Sequence, residues 1–419
     1  MSLQLQQSWG IVVGAADGGS MVGNTQLAEL TAWRRGLHQR PEVSGEERET
    51  AAEVARMLQA AGADKVLERL GGYGVAGVFD SGAPGPRVML RCELDALPIE
   101  ETSQVPHVST VPGKAHLCGH DGHMAILAAV AARLARARPE RGAVILMFQP
   151  AEETGQGARA VLADPAFAAL APTHVFAIHN MPGLPLGAVA VKSGPVTCAS
   201  RGMRIAFHGK TSHAAEPEKA RSPRAALARL MLALPDLAEG APGDPDYALV
   251  TVTHASMGAR AFGITPGAAE LLVTLRSLTD ARMARLQSEA EAQVRSEAAD
   301  AGLVVTVTYE DVFGATENDP EAARIVTEAA QALGLEQIEG ALPWRASEDV
   351  GCFGDVAPLG FFLLGAGEAQ PPLHAPNYDF PDALIGRGAD ILCKILARIA
   401  VQGAGQGEEI TKEQSAARP

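Results

Sequence analysis

The sequence predicts an α/β fold in which a largely parallel sheet, covered by helices, carries an inserted βαββαβ unit. Three observations lead there. Short apolar runs alternate with helical stretches through the first half of the chain. Between about Thr197 and Gly314 the order changes to strand, helix, strand, strand, helix, strand, the ferredoxin-like split-βαβ arrangement. Residues able to do chemistry collect just after the apolar runs, where open α/β sheets place their ligands.

The elements follow in order. Residues 1–24 read as a loose extension, with the fold starting nearer Met21. Apolar residues recur at helical spacing from Thr25 to Arg40 and from Ser44 to Ala61, and Ser44 followed by Glu47 forms a capping-box signature. The runs GVAGVF, RVMLRC, AVILMF and HVFAI read as strands buried on both faces, interleaved with helices from about His123 to Arg138 and Gly157 to Leu162. Within the insertion the strands are MRIAFHG, ALVTVTHA, AELLVTLRS and LVVTVTYE, and the helices PRAALARLMLAL and ARMARLQSEAEAQVRSEA. The chain returns with a helix from about Glu321 to Leu333 and the strand GFFLLGAG, and closes on a helix from about Asp382 to Val401. The predicted division is 25–196 with 315–402 as one domain, 197–314 as the insert, and 403–419 as a polar, disordered tail.

Composition narrows the function. A chain of 419 residues, 47% hydrophobic and 20% charged, reads as soluble and globular with a large core. Its net charge of −14 argues against a nucleic-acid partner, which needs clustered Lys and Arg. Five scattered cysteines suit a reducing compartment. No basic segment precedes the short apolar patch near the N-terminus, and no apolar stretch approaches the roughly 20 residues that span a bilayer. The expectation is a cytoplasmic protein acting on a small molecule.

The densest chemistry is HLCGHDGH, residues 116–123, which sets one thiol and three imidazoles beside Asp121. Sulfur, nitrogen and oxygen donors so close together suit a divalent first-row metal, and Gly119 and Gly122 let the backbone bend around one. Cys118 and His120 alternate as on an extended segment, so both can face one side. Further donors stand at predicted strand ends: Glu93 and Asp95 after RVMLRC, Glu152 and Glu153 after AVILMF, His179 after HVFAI, and His374 beyond GFFLLGAG. Adjacent glutamates at a strand end point in different directions and suit a division of labour.

The segments LHQRPEVSGEE, RCELDALPIEE, HLCGHDGHMA, FQPAEETGQGA, HNMPGLPLG, GKTSHAAEP, SED and LHAPNYDF, in this order, resemble the motifs of the metal-dependent aminoacylase and carboxypeptidase family. Within it they resemble the N-acyl-amino-acid amidohydrolases, which include hippurate and indoleacetyl-amino-acid hydrolases. The resemblance implies a zinc-exopeptidase-like catalytic domain holding two divalent ions, of zinc, manganese, cobalt or nickel, and an inserted lid that can also pair subunits. It implies Cys118, His120, Glu153, His179 and His374 as ligands, with Cys118 bridging, and Glu152 as the general base. Asp95 would orient a neighbour of the metals, and His116 and His123 carry no ligand role. From the lid, His213 would stabilise the scissile carbonyl or its oxyanion, from its own chain or from a partner, and Arg276 would hold a substrate carboxylate.

Two departures stand out. Glu93 replaces the usual aspartate, and Phe262-Gly263-Ile264-Thr265-Pro266 replaces a run in which an asparagine reaches the active site, so the usual substrate set is in question. The predicted reaction is hydrolysis of the amide of an N-acyl amino acid. A metallo-dipeptidase or carboxypeptidase on the same site is the nearest alternative. A thiol hydrolase using Cys118 and a catalytically silent ligand-binding relative are the others.

Overall fold

The structure, a computed structural model, describes residues 24–416. The expected N-terminal extension, Met21 included, lies outside the described residues except for Asn24, which begins the first helix. Helices α1 (Asn24–His38) and α2 (Arg48–Ala60) lead into β1 (Lys65–Leu70), β2 (Gly74–Asp80), β3 (Arg87–Glu93), α3 (His120–Leu134), β4 (Ala143–Gln149), α4 (Gly157–Ala163), β5 (His174–Pro182), β6 (Val189–Ala190) and β7 (Gly194–Thr197). The next segment holds β8 (Ala199–His208), β9 (Ser212–His213), α5 (Arg224–Ala233), β10 (Ala248–Met257), β11 (Ile264–Thr265), β12 (Ala268–Ser277), α6 (Asp280–Asp300) and β13 (Val304–Phe313). The chain returns through β14 (Thr316–Asn318), α7 (Pro320–Ala332), β15 (Leu359–Gly367) and α8 (Leu384–Ala416).

The main sheet has the order β1-β2-β4-β3-β5-β15-β6. Its centre, β4-β3-β5-β15, is parallel as predicted, while β1 and β2 at one edge and β6 at the other pair antiparallel. β1 carries no apolar-run signal in the sequence, because KVLERL is an edge strand with polar positions. Side-chain alternation divides the core in two. Val144, Leu146 and Phe148 of β4 face α1, α2, α3, α7 and α8, whereas Ile145 and Met147 face α4 and Phe353. Such side chains contribute about 1.5–3 kcal/mol each when fully buried.

The second sheet is antiparallel throughout, in the order β10-β12-β8-β13, and packs α5 and α6 on one face. This is the predicted βαββαβ topology. Leu271, Val273 and Leu275 of β12 point into that core, so Thr274 and Arg276 point out of the other face. Where the chain crosses between sheets, Thr197 of β7 pairs with Thr316 of β14.

Several boundaries differ from expectation. The capping box does not form: α2 starts after Glu47, and Ser44 Oγ instead donates to Asp95 Oδ2 at 2.6 Å. Helix α3 begins at His120, so Cys118 and His120 flank a left-handed turn at Gly119 (φ 92°) and do not lie on an extended segment. The last helix runs on to Ala416, past residue 403 where disorder was expected to begin. No helix among the described residues is long and apolar enough to cross a membrane.

One glycine fixes how α3 packs. A Cβ on Gly122 would stand 2.2 Å from Cγ of Phe380, a ring that is itself fully buried. Gly122→Ala is therefore expected to destabilise the protein by about 1–3 kcal/mol, the usual cost of overpacking, and to lower the thermal unfolding midpoint by several degrees. A midpoint at or above that of the parent would show that the ring gives way freely.

Candidate metal centre

The carboxyl ends of β3, β4 and β5 and the start of α3 bring the predicted donors together. Donor atoms of Cys118, His120 and His179 lie within 4.8 Å of one another, as do those of Cys118, Glu153 and His374, and those of His120, Glu152 and Glu153. Cys118, like His120 and Glu153, therefore belongs to more than one donor group, and it supplies the sulfur. All of these residues except half-exposed His374 are largely shielded from solvent.

Local backbone geometry aims the side chains. A Cβ on Gly119 would lie 2.1 Å from Asn180 Oδ1, so only glycine permits this turn between Cys118 and His120. Ala151 takes a positive φ of 51° and Gly155 N–H closes a turn on Glu152 O at 2.7 Å. As a result both glutamates face His120, whose Nε2 lies 4.0 Å from Glu152 and 3.9 Å from Glu153. The expectation that neighbouring side chains diverge held for a strand, and here the strand has already ended. His374 also has a positive φ, 65°, and its N–H donates to Leu117 O at 2.8 Å. Left-handed backbone at a non-glycine residue costs of order 1–3 kcal/mol and clusters at functional sites.

Hydrogen bonds fix the imidazoles. His120 Nδ1 donates to the Asp95 carbonyl at 2.8 Å and His179 Nδ1 to the Asn180 carbonyl at 2.8 Å, so each turns its Nε2 into the cluster. Asp95 thus orients His120 through its backbone, while its carboxylate takes Ser44 Oγ and the Glu153 N–H. His123 is fully used: its Nε2 accepts from Asn180 N–H at 3.1 Å, so its Nδ1 donates to Glu93 at 2.7 Å. Glu93 also bonds Arg91, which gives it a structural place.

Beneath the cluster lies a charge network that sequence reasoning missed. Fully buried Arg91 reaches Glu93, Asp349 (2.7 Å), Gln149 (2.8 Å) and, at 3.7 Å, Glu348. SED was recognisable as a motif, but nothing in its three letters shows that Glu348 Oε1 stands 3.5 Å from His179 Nε2. Burial and mutual repulsion push these acids up: Glu152 well above the usual carboxylate range, Glu153 to about 7 and Glu348 to about 8. Burial opposes charge on His120, yet Asp95, Glu93 and Glu153 outweigh it and hold the imidazole at about 10. His120 Nε2, Glu153 Oε1 and Glu348 Oε2 are buried with no hydrogen-bond partner among the described residues. Mixed N, O and S donors, excess negative charge and inward-facing orphan atoms together fit divalent cations.

The same surroundings weigh against a thiol nucleophile. Burial and the carboxylates of Glu153, Glu152 and Glu348 raise the Cys118 thiol well above its ordinary range, where reactive cysteines need it lowered. A cavity of about 440 Å³ opens over the cluster, lined on the far side by Arg276, Thr274 and Ser200 of the second sheet. Arg276 Nη1 donates to Ser347 Oγ at 2.9 Å and to Arg345 O at 3.1 Å. His213 is not brought there: it sits exposed on the β9–β11 ribbon, paired with Ile264, and does not line the cavity.

Removing Arg91 would leave Glu93, Glu348 and Asp349 buried without their shared cation. Arg91→Met should cost about 3–5 kcal/mol, typical of one partner lost from a buried ion network, and appear as a large drop in unfolding midpoint. A midpoint like that of the parent would mean that the acids are neutralised in another way.

Comparison with known proteins gives a consistent picture. A family model described as peptidase family M20/M25/M40 matches residues 89–398. The hippurate hydrolase of Campylobacter jejuni is 32% identical over 370 residues, covering 88% of this chain and 95% of that protein. IAA-amino acid hydrolase ILR1-like 2 of Arabidopsis thaliana is 30% identical over 383 residues, covering 89% and 86%. Among solved structures, the Bacillus subtilis YXEP protein, described as a dinuclear metal binding peptidase from the M20 family, superposes with a TM-score of 0.75 at 26% identity, covering 89% of this chain and 98% of that one.

Proposed function

The chain belongs to peptidase family M20/M25/M40, and on that footing we propose that it is a metal-dependent amidohydrolase that cleaves N-acyl amino acids to a carboxylate and a free amino acid. The observation that carries this reading is the position of Cys118 in two donor groups at once, with Glu152 beside them. Residues 25–196 and 315–402 form the catalytic domain and 197–314 the lid. Two divalent ions would be held by Cys118 as the shared ligand, with His120, His179, Glu153 and His374. Bound there, they would supply Lewis-acid polarisation of the scissile carbonyl and a lowered pKa for water.

The chain's own groups do the rest. Glu152 is buried against Glu348, which raises its affinity for a proton. It takes a proton from the attacking water and passes it to the leaving amine nitrogen, as a general base and then a general acid. Arg276 lines the same cavity and receives the carboxylate of the amino-acid part, where its planar fork can bind both oxygens. His213 reaches the carbonyl oxygen after the lid moves, because in the conformation described it is exposed and outside the cavity.

Glu152→Gln should keep its metal content by elemental analysis while turnover of an N-acyl amino acid falls at least about a hundredfold, within the roughly 10²–10⁴ range of general-base contributions. Activity near that of the parent would remove Glu152 from the mechanism. Comparable turnover of dipeptides with a free amino group would favour the dipeptidase reading.

His213→Ala should lower kcat and spare metal binding, whereas Arg276→Ala should mainly raise KM for carboxylate-bearing substrates. Mixed oligomers of Glu152→Gln and His213→Ala subunits are expected to stay inactive if closure occurs within one chain. Recovered activity would place His213 on a partner's site.

A further inference from the structure

Two cavities adjoin at the metal cluster. The first, about 440 Å³, holds Glu152, Glu153 and Arg276. The second, about 390 Å³, is lined by Met181, Pro182, Gly183, Trp344, Gln370, Pro372 and Leu373. Trp344 and Leu373 line both, so the cavities meet at these two residues. Each adjoins a candidate ligand: the Trp344 ring centroid stands 5.4 Å from that of His179, and Leu373 directly precedes His374. A group passing between them leaves its neighbouring atoms beside the donor cluster.

The second cavity differs from the first in chemistry and in the elements that form its walls. None of its lining side chains is ionisable, and the polar groups are the Gln370 amide and the Trp344 indole N–H. One side of it is tied to the main sheet and the other to β7, where the chain crosses toward the second sheet. Gly183 N–H donates to Gly367 O at 3.0 Å, Gly367 N–H to Leu184 O at 2.9 Å, and Trp344 N–H to Val196 O at 2.8 Å. No wall comes from the four-stranded sheet, whereas Arg276 does.

From this arrangement we infer that the second cavity is the subsite for the acyl group, with Trp344 as the residue that sets its specificity. The inference rests on the amidohydrolase reading above. The amino-acid part stays in the first cavity near Arg276, the scissile amide lies at the cluster, and an uncharged aromatic or medium-length aliphatic acyl group passes between Trp344 and Leu373. A charged acyl group would find no countercharge among these side chains. Because no wall of the subsite comes from the four-stranded sheet, acyl recognition does not require the lid to close. Each methylene buried contributes about 0.8 kcal/mol, roughly fourfold in affinity, so preference should climb with acyl size.

The test is equilibrium binding of the N-acetyl, N-hexanoyl and N-benzoyl derivatives of one amino acid to the metal-loaded Glu152→Gln chain, beside kcat/KM in the parent. Hexanoyl and benzoyl are expected to bind at least about tenfold tighter than acetyl. That ratio should fall toward one in Trp344→Ala. It should also fall in Gln370→Glu, which puts a charge into the cavity from a partly exposed position and tests the subsite should Trp344→Ala fail to fold. Equal binding of all three, or a ratio unchanged in both variants, would overturn the inference. Graded binding abolished by both variants, with no turnover of any derivative by the parent, would sink the amidohydrolase reading and leave the subsite standing. Turnover without grading would do the reverse.

Discussion

Burying acidic side chains at the ends of parallel strands is the constraint on which the rest of this structure depends. Glu93, Glu152, Glu348 and Asp349 gather around a fully buried Arg91, whose single charge cannot balance them. An isolated carboxylate in such a place costs several kcal/mol, so the acids either keep protons or share cations. The raised proton affinities of Glu152, Glu153 and Glu348 express that imbalance, and divalent ions relieve it. A site that attracts cations and a glutamate fit to carry a proton therefore have one physical origin.

A second ionic unit holds the scaffold in register with that site. Fully buried Arg34 of α1 bonds Asp121 in the first turn of α3 at 3.1 Å, Asp379 at 2.6 Å and Asp382 at 2.9 Å, while His38 adds a bond to Asp121 at 2.9 Å. Asp121 also lies where the positive end of the helix dipole favours an anion. The turn carrying Cys118 and His120 is thereby pinned to the first helix and to the loop that follows His374. The donors come from distant parts of the sequence, and this unit reduces their freedom to drift apart.

Elements with a strong periodic signal were legible in the sequence. The buried strands RVMLRC, AVILMF and HVFAI, the βαββαβ order and the donors at the strand ends all appear where their patterns put them. What was not legible depends on geometry that no short pattern encodes. Ser44 and Glu47 have the letters of a capping box, but Asp95 and the Ala151 N–H compete for them and win. Whether Glu152 and Glu153 diverge or converge depends on a left-handed Ala151 after the strand. Trp344 gave no signal, since an aromatic residue in a Pro-containing loop does not reveal that it will pack on His179. His213 shows the opposite limit: its motif was readable, but its distance from the cluster is a property of how two sheets sit.

The most direct measurement is metal stoichiometry in the full chain, by calorimetric titration of metal-stripped protein with elemental analysis of the product, for the parent and for Cys118→Ala. Two divalent ions per chain are expected in the parent, with both weakened when the shared sulfur is removed, because Cys118 stands in two donor groups. One ion per parent chain, or two ions bound unchanged without the thiol, would contradict the shared centre.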